Sequence, residues 1–220
     1  MTAMETETPV APAEAPRGMF ARIVALLIHP RSEWARIDCE PASVRGLMLG
    51  WVVPLAAIGP VAKLIGGQFF TYTNDGAQLS APLMTALTEA VISYGLSVAG
   101  LYLLSRLING LATSFKGRRD PVAAMKVAAY AATPVFLVGI FEIVHALQWL
   151  EIAGLYSLYL LFVGLPAVMH APRKRILVYI LVTMMAGIAM AILFNLVVMA
   201  TKGMFTPSLP DSAWNYTPPK

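Results

Sequence analysis

The chain has 220 residues, of which 58% are hydrophobic and only 13% charged. A soluble domain of this size cannot spread that much apolar surface over its exterior, which excludes a soluble globular protein and leaves a multi-span membrane protein. The formal net charge of +4 sits in short segments beside apolar runs, so it serves topology and anionic lipid head groups, not nucleic acid.

Residues 1–18 combine prolines and glutamates with no apolar run and read as a disordered cytoplasmic tail. They lack the basic start and apolar core of a secretory signal peptide, so the first span is expected to insert the protein. Residues 19–45 then carry Phe20, Ile23, Val24, Leu27 and Ile28 at helical spacing, flanked by Arg22, Arg31 and Arg36. This pattern predicts an amphipathic helix lying in the membrane interface. Pro30 breaks it, and Ser32 is placed to cap a second short helix carrying Trp34 and Ile37. Cys39 is the single cysteine, so no disulfide framework and no paired metal ligand is expected.

Residues 46–201 hold five apolar runs: Leu47 to Ile65, Leu83 to Leu107, Val122 to Leu147, Trp149 to Met169 and Ile176 to Ala200. Each reaches the roughly 20 residues that a hydrocarbon core of about 30 Å requires. They are continuously apolar without barrel-strand alternation, so the expected fold is all-α, an integral membrane bundle of five transmembrane helices with an N-terminal interfacial helix. Residues 202–220 form a short external tail, where Trp214 and Tyr216 suit an interfacial anchor.

The basic residues alternate by side. Arg17, Arg22, Arg31, Arg36 and Arg45 precede the first run, Lys116, Arg118 and Arg119 lie between the second and third, and Arg173, Lys174 and Arg175 between the fourth and fifth. The segment from Gln68 to Ala81 and the tight link around Ala146 to Gln148 contain none. The positive-inside rule then places the N-terminus in the cytoplasm and the C-terminus outside the inner (plasma) membrane.

Small residues recur at helical intervals, as with Ala124, Ala128 and Ala132, Ser93 and Ser97, and Gly187 and Ala191; such stripes favour close packing within the bundle or between copies. Pro54, Pro60, Pro134 and Pro166 are expected to kink their spans. Ionisable groups inside apolar runs are costly and mark candidate sites. Lys63, Glu89, Glu142 and His145 fall toward the outer side and Arg106 toward the cytoplasmic one. A Lys63–Glu89 pair would neutralise both charges, and Glu142 and His145, three apart, are expected on one helical face. Tyr156 and Tyr159 are placed to hydrogen-bond across the bundle toward Glu142 or Glu89.

No HExxH, GxSxG, Walker-type or CxxC signature occurs, and His29, His145 and His170 are too dispersed for one metal site. The chain therefore reads as no enzyme, with no metal and no cofactor.

Three stretches carry a resemblance: HPRSEWARI from His29 to Ile37, YAATP from Tyr130 to Pro134, and GLYSLYLLFVGLPAVMHAP from Gly154 to Pro172. Together, with Tyr130, Thr133, Pro134, Gly154, Tyr156, Tyr159, Gly164 and Pro172 as their marked positions, they resemble the bacterial branch of the YIP family of Ypt/Rab-GTPase-interacting membrane proteins. The resemblance implies a five-span bundle with a cytoplasmic N-terminal region. It also implies a role in organising membrane lipid or protein partners, self-association included. The chain lacks the Asp-Leu-Tyr-Gly-Pro type motif of eukaryotic relatives, so a GTPase partner is not implied. The alternative expectation, from the polar residues alone, is a small transporter or an ion or proton pathway.

Overall fold

A computed structural model describes residues 18–69, 72–74, 77–79 and 83–205 of the chain, excluding the side chains of both strands, of His145 and Arg173, and of residues 202–205. The expected tails, with Trp214 and Tyr216, lie outside the described residues except at 18 and 202–205.

The N-terminal region is a pair of ten-residue helices, α1 (Met19–Ile28) and α2 (Pro30–Cys39), joined by an irregular His29. The break expected at Pro30 is present: α1 ends at Ile28 and Pro30 opens α2 as its first residue, where a first-turn N–H has no acceptor and its loss costs nothing. Ser32 accordingly is not the cap; its hydroxyl donates to the His29 carbonyl at 3.0 Å. The pair is also more deeply seated than an interfacial anchor requires, since Leu26, Trp34 and Ile37 have no exposed surface.

Five helices among the described residues are long and apolar enough to cross a membrane: Val44–Phe69, Leu83–Leu111, Pro121–Ile143, Ala146–Val168 and Lys174–Thr201, here the first to fifth spans. The fold is all-helical, with a small antiparallel hairpin in the first connection, β1 (Tyr72–Asn74) pairing with β2 (Ala77–Leu79) through Tyr72↔Leu79.

The spans are irregular where the sequence supplies breakers. The first span opens on a Ser43 cap, then widens into a π-turn over Met48–Val52 just before Pro54. In the third span the α-helix stops at Ala131 and resumes at Thr133, ahead of Pro134. The Thr133 hydroxyl donates to the Ala129 carbonyl at 3.3 Å, satisfying an acceptor at that break. The link between the third and fourth spans is not at Ala146 to Gln148. Val144 is extended (φ −121°, ψ 112°) and the chain re-enters a 3₁₀ helix at His145.

The third span is the axis of the bundle: 61% of its most apolar stretch is buried, against 22–28% for the other four. Its small side chains explain this, since Ala124, Ala128 and Ala129 let neighbouring helices approach closely. Ala124 and Ala128 of that stripe face the interior, where they hold this bundle together. The basic connections, with Lys116, Arg118, Arg119 and Lys174, gather at one end of the bundle, here the basic end. The β-hairpin marks the far end.

Candidate functional site

Two polar arrangements stand out, one at each end. The far-end one begins with glycine. A Cβ on Gly139 would lie 2.9 Å from the Gly59 Cα, and one on Gly66 would lie 2.6 Å from the Ile143 carbonyl oxygen. The first and third spans therefore touch backbone to backbone, which only glycine permits. Lys63, between Gly59 and Gly66, and Glu142, beside Ile143, are carried to a common cavity by that contact.

This cavity measures about 310 Å³ and is lined by Lys63, Glu89, Ser93, Ser97, Glu142 and Asn195 from four spans. Lys63 Nζ lies 2.5 Å from Glu89 Oε1, with the lysine side chain 53% exposed and the glutamate 15%. Among the described residues no hydrogen bond or ion pair reaches the Glu142 carboxyl. Ser93 and Asn195 each donate one bond to their own helix, to Ala90 and Ala191.

The other expected members are elsewhere. Glu142 ends the third span and His145 opens the next helical segment across the extended Val144, so the two do not share a helical face. The His145 side chain lies outside the described residues. Tyr156 points away from both glutamates and donates its hydroxyl to the Leu27 carbonyl of α1 at 2.9 Å. Its ring lies 5.4 Å from that of Tyr159, which is partly exposed. Arg106 is exposed near the basic end.

The second arrangement, at the basic end, was not anticipated. Arg22, expected on a solvated flank, is 4% exposed. Its guanidinium donates to Glu40 Oε1 at 2.7 Å and to the Tyr130 hydroxyl at 3.2 Å, and sits 5.5 Å above the Tyr130 ring. Glu33 lies 3.7 Å from its Nε. Burial pushes the Arg22 pKa down, but the Glu40 carboxylate outweighs this and leaves it above the ordinary value. Glu40 responds in kind: burial pushes its carboxyl up, yet the bonds from Arg22 and Arg36 hold it below the usual range.

Lys126 completes the clasp. Its ammonium donates to the carbonyls of Ile37 at 2.6 Å, Asp38 at 3.3 Å and Glu40 at 2.6 Å, so it caps the C-terminus of α2. Trp34 fills the space over Gly164, where a Cβ would lie 2.6 Å from the indole ring. Its ring meets Tyr130 edge-on at 6.2 Å, and on the other side of Tyr130 the Trp51 ring packs at 4.8 Å while its Nε1 donates to Thr133 Oγ1 at 3.1 Å. Of the positions that carried the family resemblance, Tyr130, Tyr156 and Gly164 meet the helix pair directly, while Gly154 packs on Val135 and Val138 of the third span. The available signal was the lone Lys126 within an alanine-rich run and the Arg22–Glu33–Glu40 spacing.

Among the described residues no group of three His, Cys, Asp or Glu side chains is placed to hold a metal ion. His170 Nε2 lies 3.4 Å from Asp38 Oδ2, another tie between α2 and the end of the fourth span.

Comparison with known proteins identifies the family. Residues 24–194 match the Yip1 domain. The inner membrane protein YohC of Escherichia coli (strain K12) is 28% identical over 175 residues, which cover 77% of this chain and 89% of the relative. YohC of Escherichia coli O6:H1 (strain CFT073) is similar to the same extent. No solved structure matches.

Proposed function

This chain belongs to the Yip1 family of multi-pass membrane proteins, and from that premise we propose a non-enzymatic inner-membrane protein that organises membrane lipid or protein partners. Its basic end, with the helix pair, faces the cytoplasm and its C-terminus lies outside, following the distribution of Lys and Arg. The inner-membrane relatives support the compartment, and the missing enzymatic signatures support the lack of catalysis.

One observation carries the reading. The outer face of α1 presents Phe20 at 80% and Ile28 at 63% exposure, on a helix whose opposite face is fixed by the buried Arg22–Glu40 clasp. An apolar face held rigidly beside the bundle suits contact with acyl chains of the adjoining leaflet or with a membrane-embedded partner. Deleting the helix pair would remove buried Trp34 and Ile37, so point variants make the cleaner test. Phe20→Ser combined with Ile28→Ser is expected to lower photocrosslinking of lipid and protein neighbours to α1 several-fold while the protein still elutes as wild type. Unchanged crosslinking in a folded variant would remove the main support.

A second reading, a small transporter or an ion or proton pathway, draws on the convergence of Lys63, Glu89 and Glu142 around one cavity. If Glu89→Gln with Glu142→Gln leaves the protein folded and proton or cation flux in reconstituted vesicles is the same as for wild type, this reading fails.

A further inference from the structure

The far-end cavity does not end at Ser97. Ser97, Phe136, Ala191 and Phe194 also line a second chamber of about 390 Å³, walled almost wholly by apolar side chains of the second to fifth spans. This chamber runs beside the second span from Ser97 to Ile108, about 16 Å at 1.5 Å per residue. The two together form one cleft, polar toward the far end of the bundle and apolar from its middle toward the basic end. Both volumes lie in the range of sites that hold small molecules, about 300–1,000 Å³.

The polarity of the cleft is that of a lipid whose head sits at the far end of the bundle and whose chain runs inward past its middle. Charge narrows the class. Lys63 pairs with Glu89 and is also the nearest opposing charge to Glu142, so the cleft sets one cation against two carboxyls and has room for a second cationic group. The half-exposed Lys63 ammonium keeps protons for a second acceptor. Ser157 Oγ is buried with no hydrogen-bond partner, and Ser157 lines both the apolar chamber and an adjoining pocket that contains Glu142. A buried hydroxyl without a partner is costly unless something accepts from it.

We propose that this cleft holds one aminophospholipid: its primary ammonium on Glu142, its phosphate beside Lys63, an ester carbonyl accepting from Ser157, and one acyl chain in the apolar chamber. This rests on the lipid-organising reading only in taking membrane lipid as the ligand class.

The test uses the full chain, purified from nanodiscs containing equal amounts of phosphatidylethanolamine, phosphatidylcholine and phosphatidylglycerol of matched chains. Native mass spectrometry then counts the lipid retained. Wild type is expected to keep phosphatidylethanolamine at least fivefold over the other two. Glu142→Gln is expected to bring the three within twofold, while Glu142→Asp keeps the order. Gly187 borders the chamber and a Cβ there would meet nothing within 4 Å, so Gly187→Phe is the variant chosen to narrow the chamber. That variant is expected to lose all three lipids while melting as wild type does. Ser157→Ala, which disturbs no charge, should lower retention about threefold. Equal retention of the three lipids by wild type, or a head-group order unchanged in Glu142→Gln, overturns the proposal. So does retention unaffected by Gly187→Phe. None of these variants touches the exposed face of α1, so crosslinking there that persists separates failure of the cleft from failure of the scaffold reading.

Discussion

Arg22 shows how one residue can change role between a helical wheel and a packed molecule. On α1 alone it borders an apolar stripe and belongs in water. In the fold it is buried against Glu40, Tyr130 and Glu33, where a desolvated charge is tolerable only because several hydrogen bonds replace its hydration. The clasp makes a pH prediction. The Glu40 carboxyl is held below its ordinary range, so its folded pKa lies under its unfolded one. The stabilisation is therefore complete above the unfolded value and is lost as pH falls through the depressed folded value. The melting temperature of solubilised protein is expected to stay level down to about pH 5 and to fall below about pH 4. Asp120 has a carboxyl lowered by the Ala123 and Val122 amides and by Arg118, against the opposing effect of burial, and titrates in the same window. A smaller acid-induced fall in Glu40→Gln isolates the clasp. Lys126→Met leaves three carbonyls of the α2 terminus without their donor, and chemical unfolding should show a loss of about 1–3 kcal/mol.

At the scale of elements, glycines decide which helices meet. Gly164 receives Trp34, and Gly66 and Gly139 bring the first and third spans into backbone contact. Gly66→Ala forces a methyl group against the carbonyls of Glu142 and Ile143, which cannot turn away as a side chain can. Unfolding measurements should show a loss of about 1–3 kcal/mol, with Lys63 more accessible to amine labelling. Gly187→Ala is the matched control, since its Cβ meets open space, and it should be close to neutral. Gly164→Ala is expected to loosen the helix pair, read as faster hydrogen exchange over α1 and α2. Sequence patterning placed most span ends within a few residues, because the length of an apolar run and the charges that bound it are read from contiguous residues. It misplaced the turn after the third span, because Val144 is an apolar residue with no breaker beside it, and its extended backbone separates Glu142 from His145.

For the whole molecule, the charge alternation implies that an extracytoplasmic-only reporter fused at Lys220 is active and a cytoplasmic-only one is silent. The reverse result would overturn the proposed orientation. The same alternation sorted the ionisable residues by depth, and three of the outer set, Lys63, Glu89 and Glu142, do line one cavity. Tyr156 does not, because the helix pair packs on the fourth span and its Leu27 carbonyl takes the tyrosine hydroxyl. By itself the sequence determined the class, the number of spans and the family, since hydrophobic length, side-by-side charge and local motifs are properties of contiguous residues. Only the tertiary structure decided that the N-terminal helices are part of the core, that Arg22 and Lys126 are their fasteners, and that a polar pocket continues into an apolar chamber. Those arrangements depend on backbone approach distances between helices far apart in the chain, and hydrophobic periodicity carries no record of which faces meet.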